Sequence, residues 1–252
     1  MPQPTDYDLS YCGPAPKLAD LATRWNFEPL LLTALALVAL AGWHFLKHQP
    51  RAQMRAFWGA WSFAALLFIS PLCALTVALV SARVSHHILL TMLVAPMLAL
   101  ALPIRLGQAI PAVATLILAT ITLWFWHWPD LYTAAFAHPA FYWAMQATFL
   151  GSYTALWLVL LRSPNIFTAG LTALAAAIQM GFLGALLVFA PTPLYAPHLA
   201  TSFAFGLTPL EDQQLAGLIM WVPANLPLLA VAVWRLVALL APATQHGRAD
   251  GQ

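Results

Sequence analysis

The chain has 252 residues, of which 62% are hydrophobic and only 7% charged, and its formal net charge is +2. Soluble domains carry about 25% charged residues, so this composition excludes a water-soluble fold. It predicts an all-α integral membrane protein embedded in a lipid bilayer, and the small net charge gives no ground for a nucleic-acid partner.

Seven apolar runs predict a bundle of seven transmembrane helices. Each run has about 17 to 28 residues, enough to cross a hydrocarbon layer of about 30 Å at 1.5 Å per residue. They cover about 29–45, 57–80, 83–102, 110–126, 141–161 and 166–190, and the seventh follows residues 211–213 and ends near residue 240. The expected domains are a polar, proline-bearing tail over 1–28, the bundle over 29–240 and a second tail over 241–252.

Prolines mark the expected irregularities of these helices. Ser70-Pro71 lies inside the second span and Pro96 inside the third. Because proline removes one helical hydrogen bond, a kink is expected at each place. The sixth connection, residues 191–210, has room for a short extra helix.

Lysine and arginine set the expected orientation of the bundle. One side has most of the basic residues, namely Lys47, Arg51, Arg55, Arg105, Arg162, Arg235 and Arg248. The other side has Lys17, Arg24 and Arg83 together with most of the acids. The positive-inside rule then predicts an outside N-terminus and a cytoplasmic C-terminus, in the inner membrane if the host has two membranes.

This orientation places most histidines near the outer face. His86, His87, His127, His138 and His198 fall there, whereas His44, His48 and His246 fall on the cytoplasmic side. Ionisable side chains near membrane depth are costly and usually mark a ligand site, a pathway or a structural ion pair. The outer ends of the third, fourth and seventh helices, which also bring Asp212, are therefore the candidate functional region.

Several side chains in this region suit copper. Imidazole binds copper, iron and zinc, whereas thioether and thiolate favour cuprous copper. His87 and His127 are expected at similar depth, and Met220 and Cys73 each lie about two turns inside the outer end of a helix. These four residues are the expected ligands. His86 is a further candidate, although adjacent residues point about 100° apart on a helix, so His86 and His87 cannot both face one site.

Structural interpretations of these residues stay open. His86 is equally an interfacial polar residue, and Cys73 a small packing residue. Asp212 is a candidate N-cap of the seventh helix. Arg83 is a candidate ion-pair partner of Asp212 or of Glu211.

Other features have first of all an ordinary structural interpretation. His138 and His198 are expected as solvated loop residues, the tryptophans of 124–128 as an interfacial belt, and Gly181 and Gly184 as close-packing positions. The two cysteines form no CxxC pair, and GxSxG, HExxH and phosphate-binding glycine motifs are missing from the sequence. The sequence therefore gives no positive evidence for an enzyme.

The order of motifs resembles the polytopic CtaG family of cytochrome c oxidase assembly factors, which is distinct from the single-span copper chaperone that shares the name. The most specific motif is Asp-Gln-x-x-x-Gly-x-x-Met-Trp, which begins at Asp212-Gln213 and ends at Met220-Trp221. Weaker matches are Ser70-Pro71, His87-Ile88-Leu89-Leu90, Ala95-Pro96, Leu102-Pro103, Trp126-His127-Trp128-Pro129-Asp130-Leu131-Tyr132, the stretch from Gly184 to Ala190, and Pro193-Leu194-Tyr195. The resemblance covers about 57–234.

This resemblance implies a non-enzymatic, seven-helix factor in the biogenesis of a haem-copper oxidase, which binds or relays copper at the outer face. Its implied partners are an oxidase subunit and a soluble copper donor outside. It makes Arg83, Asp212, Gln213 and Trp221 functional candidates beside the expected ligands.

The chain departs from the family pattern at two positions. The pattern has a histidine where this chain has Arg83, and another where it has Gln146. Either His86 takes the place of a lost ligand, or Arg83 turns the site toward an anionic group such as a haem propionate. A haem protein with His87 and His127 as axial ligands is the alternative function, and a metal-dependent membrane enzyme that uses Asp212 is a third.

Overall fold

The computed structural model describes residues 10–240, and all regular structure in this part of the chain is helical. The helices are α1 Pro29–Leu46, α2 Arg51–Ile69, α3 Leu72–Ala78, α4 Val80–Leu89, α5 Ala95–Ala101, α6 Ile104–Ala109, α7 Ala112–His127, α8 Pro129–Ala137, α9 Pro139–Arg162, α10 Ile166–Phe189, α11 Pro209–Trp221 and α12 Leu226–Leu240. A π-helical segment, Leu90–Val94, joins α4 to α5. Short 3-10 turns cover Leu21–Thr23, Ala196–His198, Ser202–Phe205 and Pro223–Asn225.

Five stretches are long and apolar enough to span a membrane within the described residues: Pro29–Leu46, Val80–Ala101, Pro139–Arg162, Ile166–Phe189 and Pro209–Leu239. Two bent helix pairs raise the number to seven if each pair is one span. These are α2 with α3, bent by 51°, and α7 with α8, bent by 74°. The expected all-α membrane fold is thus confirmed at the level of five to seven candidate spans.

The second expected span ends earlier than its hydropathy indicated. The helix breaks at Ser70-Pro71, as expected, and breaks again at Leu79, whose backbone is extended (φ −130°, ψ 135°). Val80 therefore begins α4 and does not end the second span, which corrects the predicted boundary at residue 80. The hydrophobic run continues through the break, so hydropathy alone could not locate it.

The irregularity expected at Pro96 takes the form of a π-helical turn. The N–H of Ala95 donates to the carbonyl of Leu90, five residues earlier, and Pro96 follows without a backbone donor of its own. π-helical turns are rare and frequently occur at functional sites. This one begins three residues after His87.

The connection after α7 contains more helix than the sequence indicated. Trp128 is extended, and Pro129, with its fixed φ, starts α8 in what was expected to be a loop. The sixth connection contains two 3-10 turns, which agrees with the expected room for an extra helix. The last span is interrupted at residues 222–225, where Pro223 begins a single 3-10 turn.

The bundle packs around α9, α10 and the α4–α5 span. α10 packs against α11, α12 and α7, whereas α9 packs against α7 and α5, and α4 packs against α11. α1 packs against α2, and only 6% of its apolar window is buried. An exposed apolar helix face of this kind is what lipid contact requires.

Residues 10–28 pack against one end of the bundle, although the polar, proline-bearing composition of this tail predicts no single structure. Tyr11 stacks on Tyr142 with ring centroids 4.8 Å apart, and its hydroxyl donates to Glu28 at 2.8 Å. Glu28 in turn accepts from the backbone N–H of Leu31 and so caps α1. Predictions for residues 1–9 and 241–252, including His246 and Arg248, lie outside the described part of the chain.

Candidate functional site

A small cavity lies between five helices, α4, α7, α9, α10 and α11, near the π-helical turn. It has a volume of about 20 Å³, enough for about one water-sized species. Its potential donors are His87 on α4, His127 on α7, Met180 on α10 and Met220 on α11. The rest of the lining is Val84, Ile88, Thr91, Leu123, Phe149 and Tyr153. Three of the four expected donors, His87, His127 and Met220, thus meet at one place.

His127 is the last residue of α7, and its ring orientation is fixed by its own helix. Nδ1 lies 2.7 Å from the carbonyl oxygen of Leu123, one turn earlier. A carbonyl only accepts, so Nδ1 carries the hydrogen and Nε2 keeps its lone pair. The hydroxyl of Tyr195 donates to the backbone carbonyl of His127 at 3.2 Å and holds this helix end in place. Such an arrangement orients an imidazole for a metal at Nε2.

His87 is held by the ring of Phe149 and by Gln146, both on α9. The imidazole stacks on Phe149 with centroids 4.7 Å apart, and its Nε2 lies 3.4 Å from Nε2 of Gln146. Oε1 of Gln146 is buried without a hydrogen-bond partner among the described residues. A half-turn of the amide would place Oε1 as the acceptor of a His87 Nε2–H group, which leaves Nδ1 as a donor atom for a metal.

Thr91 links His87 to the π-helical turn. Its hydroxyl donates to the carbonyl of His87 at 2.7 Å, and its own carbonyl accepts from Nε1 of Trp157 at 2.8 Å. The carbonyls of His87 and Thr91, at the start of the widened turn, thus each accept from a side-chain donor. The backbone that carries His87 is therefore anchored on the cavity side.

Gly184 on α10 and Gly217 on α11 allow a close helix crossing beside Met180 and Met220. A Cβ on Gly217 of α11 would lie 2.6 Å from the carbonyl oxygen of Gly184 on α10, and a Cβ on Gly184 would lie 2.8 Å from that of Gly217. The two backbones touch at this crossing, as small residues allow in membrane helices. Met180 precedes Gly184 by one turn, and Met220 follows Gly217 by nearly one turn. This spacing on the packed face of α10 is the sequence signal that could have identified Met180.

Asp212 does not cap its own helix. α11 is capped by Thr208 and Glu211, which form a reciprocal capping box. Asp212 is fully buried and accepts instead from the backbone N–H groups of Val80 at 2.6 Å and Ser81 at 3.1 Å, and from the hydroxyl of Ser81. It therefore caps α4 from a neighbouring helix, where a carboxylate complements the positive end of the helix dipole.

Arg83 forms no ion pair with Asp212 or Glu211, contrary to the sequence-based candidate pairing. Its guanidinium lies over the rings of Tyr132 and Phe136, 4.7 and 4.0 Å from their centroids, and Nη2 is 3.6 Å from the sulfur of Met145. Across residues 10–240 the one salt bridge joins Arg24 to Asp20. Both carboxylate oxygens of Asp212 already accept hydrogen bonds from the N-terminus of α4. Arg83 is instead held by cation–π contacts.

His86 lies outside the cavity, as the 100° angle between neighbours requires. Its ring packs edge-on against Phe68 of α2 at 5.2 Å, and both ring nitrogens are buried without a partner among the described residues. It faces α2 and does not replace a donor at the cavity. The expectation of a second histidine ligand from this pair is therefore not supported by the geometry.

His198 is buried and not solvated, which corrects the sequence-based assignment. It is 1% exposed, and its Nε2 lies 2.8 Å from the hydroxyl of Tyr132. Burial, with a smaller contribution from the Arg83 charge, lowers the pKa of His198 to about 3. The ring is therefore neutral and able to accept from Tyr132. His138, in contrast, is exposed as expected.

Cys73 is paired with Cys12 in a disulfide, with the two Cα atoms 5.5 Å apart. It does not line the cavity, and a disulfide sulfur is not a thiolate ligand. The predicted role of Cys73 beside the histidines is thus not supported in this oxidised form. The partner cysteine is 61 residues away in the sequence, which is why spacing alone gave no sign of the pair.

The described residues contain no group of three or more His, Cys, Asp or Glu side chains that could hold a metal ion. Among the residues that line the cavity, the side chains with nitrogen or sulfur donors are two imidazoles, His87 and His127, and two thioethers, Met180 and Met220. Soft, neutral donors of this kind favour cuprous copper over zinc or iron.

A family model describing the cytochrome c oxidase caa3 assembly factor (Caa3_CtaG) matches residues 32–241, most of the chain. The chain belongs to this family. The comparisons found no matching curated protein and no matching solved structure. Family membership makes the chain a multi-pass membrane protein associated with cytochrome c oxidase assembly, and it confirms the family predicted from the motifs.

The most specific motif of the resemblance has a structural explanation at each named position. Asp212 caps α4, and Gln213 accepts from the N–H of Leu194 at 2.7 Å and donates to the carbonyl of Leu187 at 3.3 Å. Gly217 permits the helix crossing and Met220 lines the cavity. Trp221 is 42% exposed and meets Phe189 edge-on, which fits a position at the surface of the bundle.

Proposed function

We propose that this assembly factor holds a cuprous ion, as cargo, in the cavity between His87, His127, Met180 and Met220. The main observation in support is that two imidazoles and two thioethers from four separate helices line one void of about 20 Å³. The void matches a single small ion or water, and the four donors are the types that cuprous copper selects.

The charge balance of the cavity supports a monovalent ion. No carboxylate or thiolate is among the ten lining residues. The cost of burying an ion rises with the square of its charge, so a site of neutral donors accommodates a monovalent cation better than a divalent one. Relay to the oxidase then requires only exchange of neutral ligands, because no anionic ligand has to be protonated on release.

We further propose seven spans with the N-terminus outside and the C-terminus in the cytoplasm. Counting each bent pair as one span gives seven. The Cys12–Cys73 disulfide lies at the end of the bundle that the positive-inside rule assigns to the outside. Disulfides persist in oxidising compartments, which supports the same orientation. The cell inner membrane, an oxidase subunit and a soluble outer copper donor are then the location and partners.

Neither alternative function has a comparable observation in its favour. A porphyrin is many times larger than the cavity between His87 and His127. Both carboxylate oxygens of Asp212 are engaged by the α4 terminus, so this residue is not placed as a general base for an enzyme. We therefore propose a non-catalytic role in oxidase maturation.

Cuprous-ion binding by the purified protein tests the proposal. Under anaerobic conditions and with a coloured cuprous chelator as competitor, the oxidised wild-type protein should bind one ion per chain. His87→Ala and His127→Ala should each lose this binding, and oxidase in cells with either variant should contain less copper. His138→Ala, at an exposed histidine, is the matched control and should keep both properties. Absence of binding by the folded wild-type protein would refute the copper function.

A further inference from the structure

The fold brings together the only two cysteines of the chain at one end of the bundle. Cys73 is in the first turn of α3 and is 1% exposed, whereas Cys12 lies on the N-terminal segment and is partly exposed. One sulfur is therefore held rigidly by a helix, and the other sits on a segment of chain that solvent reaches. Cys12 is therefore the more accessible of the two residues for attack by an external thiol.

Polar donors surround both sulfurs of the pair. The hydroxyl oxygen of Tyr142 is 3.7 Å from Sγ of Cys12 and 4.0 Å from Sγ of Cys73, and Nδ2 of Asn26 is 3.9 Å from Sγ of Cys73. Disulfide sulfurs carry no hydrogen, so the Tyr142 hydroxyl and the Asn26 amide are the donors. A disulfide sulfur is a weak acceptor, whereas a thiolate gains much more from such donors. The surroundings thus fit anionic sulfur better than a purely structural cystine.

A chain of side-chain contacts leads from the sulfur pair, through Tyr142 and Gln146, to His87. Tyr142 and Gln146 are four residues apart on α9 and share a face. Gln146 contacts His87 at 3.4 Å, and His87 lines the cavity. A continuous path of Tyr142, Gln146 and His87 therefore joins the two cysteines to the imidazole of the first site.

We propose that Cys12 and Cys73, once reduced, form a second cuprous-ion site that receives copper before it reaches His87. This inference rests on the proposed copper function. Soft thiolates select cuprous copper, and the fold already places the two sulfurs side by side. The pair would take the ion from an outer donor, and the path along α9 would bring it to the cavity.

The reduction step requires an external dithiol. The dithiol supplies two electrons and two protons and becomes a disulfide, the Cys12–Cys73 bond breaks, and both cysteines become thiols. Binding of a cuprous ion to the two sulfurs then releases their two protons to water. In the oxidised form the second site does not exist, so the redox state of this one bond decides how many ions the protein accepts.

Ion stoichiometry in the two redox states tests this proposal. The full-length protein is treated with dithiothreitol, desalted anaerobically and titrated with cuprous ion against a coloured chelator, beside an untreated sample. We expect one ion per chain in the oxidised wild type and two after reduction. Reduced Cys12→Ser should bind one, because its second site has a single thiolate. Alkylation of the reduced wild type with iodoacetamide should also return the count to one without any substitution.

The His87→Ala variant separates this proposal from the copper function of the cavity. Reduced His87→Ala should bind one ion, held by the cysteines, and oxidised His87→Ala none. If reduced and oxidised wild type each bind one ion, the thiolate site is refuted while the cavity site stands. If the oxidised wild type binds none and reduced His87→Ala binds one, the cavity site is refuted and the thiolate site stands.

Discussion

At the scale of single residues, the ionisable groups in this bundle have mostly structural partners, and only a few remain for ligand binding. Asp212 accepts hydrogen bonds from the N-terminus of α4, and the guanidinium of Arg83 packs over two aromatic rings. His127 and His87 differ because both line the cavity and neither side chain is in an ion pair among the described residues. Family membership does not by itself distinguish these cases, whereas the contacts of each side chain do.

Replacement of a cavity methionine by leucine should weaken copper binding and leave the fold intact. Met220→Leu and Met180→Leu remove the sulfur with little change of volume, at a cost below about 1.5 kcal/mol in stability. We expect the cuprous-ion affinity to fall about tenfold or more, since a soft donor is lost. Met92→Leu is the control, because Met92 is buried but does not line the cavity. Equal affinities for all three variants would contradict the thioether ligands.

Loss of the Asp212 carboxylate should destabilise the bundle at the start of α4. Asp212→Ala leaves the N–H groups of Val80 and Ser81 without an acceptor, and loss of such a cap costs about 0.5–2 kcal/mol. A lower melting temperature in detergent would be the measured result. Glu211→Gln serves as the comparison, because it keeps a side-chain oxygen for the exposed capping box of α11. A larger loss in Glu211→Gln than in Asp212→Ala would contradict this assignment.

At the scale of helices, breaks in regular structure shape the site. The extended Leu79 creates a new helix terminus for Asp212, the π-helical turn follows His87, and extended Trp128 ends α7 at His127. Each break depends on a long-range hydrogen bond or on a proline. The close crossing of α10 and α11 then sets the distance between the two methionines.

A side chain at the α10–α11 crossing should disrupt this arrangement. Gly217→Ala adds a Cβ at 2.6 Å from the carbonyl oxygen of Gly184 and 2.9 Å from the N of Val188, so the two backbones must separate. Overpacking of this kind costs about 1–3 kcal/mol, and cuprous binding should weaken as Met180 and Met220 move apart. Gly151→Ala on α9 is the control, because its Cβ would meet nothing within 4 Å. It should keep wild-type binding and gain up to about 1 kcal/mol from helix propensity.

At the scale of the whole molecule, the chain is a membrane bundle with an ordered N-terminal segment against one end. The Cys12–Cys73 disulfide, the Tyr11–Tyr142 stack and the Tyr11–Glu28 bond attach this segment to the bundle. The candidate copper cavity, the disulfide and the short turns between α10 and α11 belong to the same half of the structure. Lys47 follows α1 and Arg162 ends α9, at helix ends that the positive-inside rule assigns to the cytoplasm.

Labelling of single cysteines should reveal this orientation. In a background with Cys12→Ser and Cys73→Ser, a membrane-impermeant maleimide should label Leu18→Cys on intact cells but Gln49→Cys only after lysis. Both positions are exposed, and they lie before and after α1, so they report opposite sides of the membrane. Labelling of Gln49→Cys on intact cells, with Leu18→Cys protected, would reverse the proposed topology.

Much of this protein followed from local sequence properties. Hydropathy determined the all-helical membrane class, prolines marked the kinks at Pro71 and Pro96, and motif order identified the family. His87, His127 and Met220 could be selected because residue type and position along a helix are local properties. These predictions required no knowledge of which helices are neighbours.

The tertiary structure alone decided which distant groups meet. Met180 lies at the site because α10 crosses α11 closely at two glycines. Cys73 is not among the cavity residues, and it forms a disulfide with Cys12, 61 residues away in the sequence. Asp212 turned out to cap α4, since the N–H groups of Val80 and Ser81 lie more than 130 residues away in sequence and adjacent in space. Partners of buried polar groups depend on helix packing, and seven apolar runs of similar composition contain little information about how they pack.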